Sequence, residues 1–156
     1  NKAKEIFASI RTLGAGGKIE DGYIGSDIEG AFLRGLKRLE SESGNLINSL
    51  NESVKVRATI VVSSDMVQSR AGDEGIVRTI RNMTNEQIAE FVTKSRGEQE
   101  FRELRPVVKI DGWLSTTGKI SERDRQALEV YWKKWFSTLD LDEPDFGFGV
   151  MDWSVD

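Results

Sequence analysis

The sequence predicts a mixed fold of the α/β or α+β class, a single globular domain over residues 1–156 with about four strands alternating with amphipathic helices. Three observations predict it. The run 54–63 is rich in β-branched residues and begins by alternating apolar and polar side chains, as a half-buried strand does. Elsewhere apolar residues recur three and four positions apart, the mark of a helix with one buried face. Glycine, proline and small polar residues punctuate the stretches between. With 156 residues, 38% of them apolar, the chain can bury roughly 70% of its unfolded surface in one core.

Taken in order, Ile6, Phe7, Ile10 and Leu13 predict a first helix, closed by the glycines of 14–17. A short stretch with the turn pair Asp21 and Gly22 follows. Asp27 is placed to cap a helix that buries Ile28, Phe32, Leu36 and Leu39, and the cluster 41–45 is read as its end. Residues 41–53 and 63–72 are expected to be flexible loops. Between 54 and 63, Val54, Val56, Ala58, Ile60 and Val62 form the inner row of the clearest strand. Asp73 is read as a cap for Ile76, Val77 and Ile80. Thr84 with Gln87 is a capping box opening a helix through Ile88, Phe91 and Val92. Pro106 precedes a strand over 107–114. Ser121 starts a helix whose Leu128, Tyr131, Trp132 and Trp135 share a face, and 146–155 reads as a last strand.

The chain has no histidine and no cysteine. A Ser-His-Asp or Cys-His nucleophile system therefore cannot be built within it, nor a zinc site on those ligands. Carboxylate or lysine acid-base work and oxygen-ligated hard cations remain open. The stretch Gly14-Ala15-Gly16-Gly17-Lys18 fails as a phosphate loop, because Thr12 stands where its first glycine belongs and Ile19 where its Ser or Thr belongs. No cofactor is called for. The net charge of −4 argues against nucleic acid as the main ligand and gives no support to peripheral membrane contact. The absence of cysteine fits a reducing, cytoplasmic compartment, and no window reaches the roughly 20 apolar residues of a membrane span. Starting at Asn1, the chain is expected to be a processed or trimmed piece.

Three stretches are candidate binding sites. In the acidic loop 138–145, Asp140, Asp142 and Glu143 are flanked by Leu139, Leu141 and Phe146, a pattern that suits docking to a basic protein partner. A solvated acidic loop is the simpler account, and a cation site using Asp111, Asp140, Asp142 and Asp152 is the enzymatic one. Trp132, Lys133, Lys134 and Trp135 interleave rings with cations and could stack bases or form an interface; a core face with a basic back is the simpler account. Ser63 and Ser64, at the end of the best strand, with Arg70 nearby and Arg78 and Arg81 on the following helix, form a candidate anion or docking loop; a connecting loop is the simpler account.

From Val54 onward the order of elements resembles that of rhabdovirus matrix proteins. The strand 54–62, the helix 73–83, the strand 107–114 with the helix 121–136, and the closing Phe146-Gly147-Phe148-Gly149-Val150-Met151 carry the resemblance. It implies a non-enzymatic, virion-associated protein that self-associates and links a nucleocapsid to an envelope. The first expectation is accordingly a structural or interaction protein that forms homo-oligomers. The alternatives are a small carboxylate-and-cation domain and a single-stranded nucleic-acid module.

Overall fold

Pro106 and Gly112 bound the strand on which the fold is built. The computed structural model describes residues 16–18, 24–50, 57–67, 75–97, 99–114 and 120–147, with 16–18, 24–26 and 46–50 described as backbone only. Within them lie β1 (Gly16–Lys18), β2 (Ile24–Ser26), α1 (Ile28–Leu50), β3 (Thr59–Ser63), α2 (Ile76–Ile80), α3 (Asn85–Arg96), β4 (Val107–Asp111) and α4 (Glu122–Ser137). The class is mixed helix and strand. The strands form two separate pairs, not a run of four alternating with helices.

β3 and β4 run parallel, with Thr59 opposite Val107 and Ser63 opposite Asp111. That register sets Pro106, which has no N–H, beside Ala58, so regular pairing starts one residue later. The strand expected over 54–63 is thus confirmed only at 59–63; residues 54–56 lie outside the described residues. β4 stops at Asp111 because Gly112 (φ 86°) and Leu114 (φ 55°) swing the backbone into the left-handed region. On the far side of β4, Asp145 makes a single parallel bridge to Lys109. The expected last strand, 146–155, falls largely outside the described residues.

The caps behave as their chemistry requires. The Asp27 carboxylate accepts the Gly30 N–H at 3.0 Å, and Ser121 Oγ accepts the Asp124 N–H at 3.1 Å. Thr84 and Gln87 form the full reciprocal box. α2, by contrast, starts at Gly75 without a side-chain cap, and Asp73 lies outside the described residues. Two expectations are overturned. Residues 41–45 do not end the second helix: α1 continues to Leu50, so 41–50 is not a loop. Arg38 pairs with Glu42 at 2.7 Å, and the Ser43 hydroxyl turns back onto the Glu40 carbonyl at 3.0 Å, so polar side chains bond along the helix instead of breaking it. Gly16 and Gly17 are not a helix cap and turn. They lie in β1, which pairs antiparallel with β2 across a five-residue connection. The helix expected from Ile6 to Leu13 lies outside the described residues.

The core forms where α4 meets α1 and the inner face of β3 and β4. Leu36, Leu128, Trp132 and Trp135 are fully buried, with Ile60, Val108 and Ile110 beneath them. Phe32 of α1 meets Trp135 at 5.6 Å and Phe136 at 4.9 Å between ring centroids, both edge to face. Each such ring removed from water stabilises the fold by about 1.5–3 kcal/mol.

Candidate functional site

The helix ending at Ser137 carries its aromatic residues inward. Trp132 and Trp135 are completely buried, so neither can stack a nucleic-acid base. Lys133 is bound to Glu129 at 2.8 Å and also to Glu143, and Lys134 is half-buried in the last turn. The Trp132-to-Trp135 stretch is therefore a core face, and its first lysine is held by carboxylates. Those hydrogen bonds raise the Lys133 ammonium above its usual range, against the opposing effect of burial.

The acidic loop also turns inward. Leu139 and Leu141 lie in the core, so they cannot anchor a partner. Asp140, in the left-handed region at φ 55°, turns the chain between them and pairs with Arg105. Asp142 is exposed, and Phe146 packs on Trp113 at 4.6 Å. The physical reason is covalent economy: two leucines two residues apart, directly after a buried helix, reach their own core before any partner's. The proposed cation ligands also separate. Asp140 sits with Arg105 before the start of β4 and Asp111 ends that strand, roughly 13 Å along it at about 3.3 Å per residue. Asp152 lies outside the described residues, among which no three carboxylates gather to hold a metal.

The carboxyl ends of β3 and β4 are built from turns. Ser64 Oγ accepts the Met66 N–H and Asp65 Oδ1 the Val67 N–H, both at 3.0 Å. The Leu114 N–H reaches the Asp65 carbonyl at 3.1 Å. Met66 is fully buried at φ 60°, and its carbonyl accepts the Trp132 indole N–H at 2.8 Å. An anion has little to meet here. Ser64 is used by the turn, Asp65 and Asp111 bring negative charge, and Arg81 is taken by Asp124 in two hydrogen bonds of 3.0 and 3.2 Å. Arg70 lies outside the described residues. Ser63 stands exposed at this end.

What remains open is the outer side of the sheet. From 101 to 110 side chains alternate strictly. Phe101, Glu103, Arg105, Val107 and Lys109 face solvent, and Arg102, Leu104, Pro106, Val108 and Ile110 face inward. Phe101 is 85% exposed and Val107 54%. Arg102 is the polar exception on the inner row. Its side chain is only 10% exposed, and its guanidinium ties Glu40 of α1 to Glu100.

The backbone groups of β3 divide between two sides. The bonds Val107 N–H to Ala58 O and Ser64 N–H to Asp111 O, both 2.9 Å, fix which residues of β3 address β4: Ala58, Ile60, Val62 and Ser64. Thr59, Val61 and Ser63 therefore turn their N–H and C=O groups the other way. β4 has a neighbour on both sides, because Asp145 bonds Val108 O at 2.9 Å and the Ile110 N–H at 2.8 Å. Among the described residues no strand pairs with the outer edge of β3. The sequence marks β3 as a strand but does not single out the exposed outer row at Phe101 and Val107.

These features define a mixed helix-and-strand protein with a short parallel sheet whose outer row is exposed at Phe101 and Val107. No protein-family model, no curated protein and no solved structure matches the chain. Among the described residues no helix is long and apolar enough to cross a membrane.

Proposed function

We propose that this is a non-enzymatic interaction protein that self-associates, working as an assembly unit in the manner the rhabdovirus matrix resemblance implies. The observation that carries the reading is the open outer side of the β3–β4 sheet. Parallel strands are ordinarily covered on both faces. Here the outer row carries Phe101 and Val107 in solvent, and among the described residues no strand pairs with the uncharged far edge of β3. The titratable groups favour the same reading. Asp124 and Lys133 are both occupied in ion pairs that join helices or loops, which is a structural use of charge. The carboxylate-and-cation reading is weaker, since Asp111 and Asp140 stand at opposite ends of β4. The base-stacking reading is weaker still, with Trp132 and Trp135 inside the core.

Light scattering coupled to size separation, run over a wide concentration range at low salt, tests the proposal. A mass that rises with concentration supports it. A strict monomer at the highest concentration overturns it.

A further inference from the structure

We draw no further inference here: the strongest candidate, the apolar surface patch that Phe101 and Val107 form on the outer side of the β3–β4 sheet, carries nothing because nothing in the structure shows what covers it.

Discussion

Replacing Trp132 and Trp135 in turn by phenylalanine separates a hydrogen bond from a ring. Both indoles are fully buried on the same face of α4, 5.5 Å apart between centroids. They differ in one respect. The Trp132 N–H donates to the Met66 carbonyl at 2.8 Å, whereas the Trp135 N–H is buried with no partner. Either change removes one small ring's worth of apolar surface, equivalent to about two methylene groups or ~1.6 kcal/mol. Trp132→Phe also strands a buried carbonyl, at about 1–3 kcal/mol. The expected loss is about 2.5–4.5 kcal/mol, a fall of about 1.5 M in the urea midpoint at an ordinary slope. Trp135→Phe removes a donor that was already unpaired, so part of the ring's loss is offset and the cost should be about 1 kcal/mol or less. Urea titration followed by far-ultraviolet circular dichroism gives both values. Losses within about 0.5 kcal/mol of each other would refute the assignment of the Trp132–Met66 bond as a fold-stabilising contact.

Three further outcomes follow from the polar contacts. Thr84→Ala removes the cap of α3 and should cost about 1 kcal/mol, lowering the thermal midpoint by about 2–4 °C, while Thr84→Ser should stay close to wild type. Arg102→Lys replaces a planar fork with a point charge that cannot hold Glu40 and Glu100 together; a loss of about 1–2 kcal/mol in urea titration is expected, and no loss would show that the bridge to α1 is idle. Burial opposes charge on Asp124, but hydrogen bonds from Arg81 and Ser121 outweigh it and hold the carboxyl below its usual range. The stability from this pair is complete above the ordinary carboxylate value of about 4 and is lost as pH falls through the lower folded value. Wild-type stability should therefore decline more steeply on the acid side than that of Asp124→Asn, and parallel acid slopes would dismiss the linkage.

Much of the fold was legible because it is set locally. Asp27, Thr84 and Ser121 cap helices by satisfying N–H groups three residues away, which spacing alone reveals. The inward face of α4 follows from the 3.6-residue period. The rest depends on partners distant in sequence. Nothing near Ser41 announces that α1 continues; the helix is carried on by Arg38 with Glu42 and pinned at Glu40 by Arg102, 62 positions away. Leu139 and Leu141 alternate with acids in a way that fits either a wet docking arm or a tucked-in chain, and only the core's position decides. The candidate site was the least legible part. An exposed row is a relation between elements: Phe101 and Val107 face solvent because the core packs on the other side of β4, not because of their own residue types.

The two sides of the sheet differ in proline and charge. On the Asp145 side the added segment is held by one bridge, follows the buried Pro144, and comes with Asp142 and Glu143 exposed just before it. Proline and charge are the usual means of stopping further strand addition. The β3 side lacks both along Thr59–Ser63 and keeps its charges at the ends, one of each sign, four residues either side of Val61.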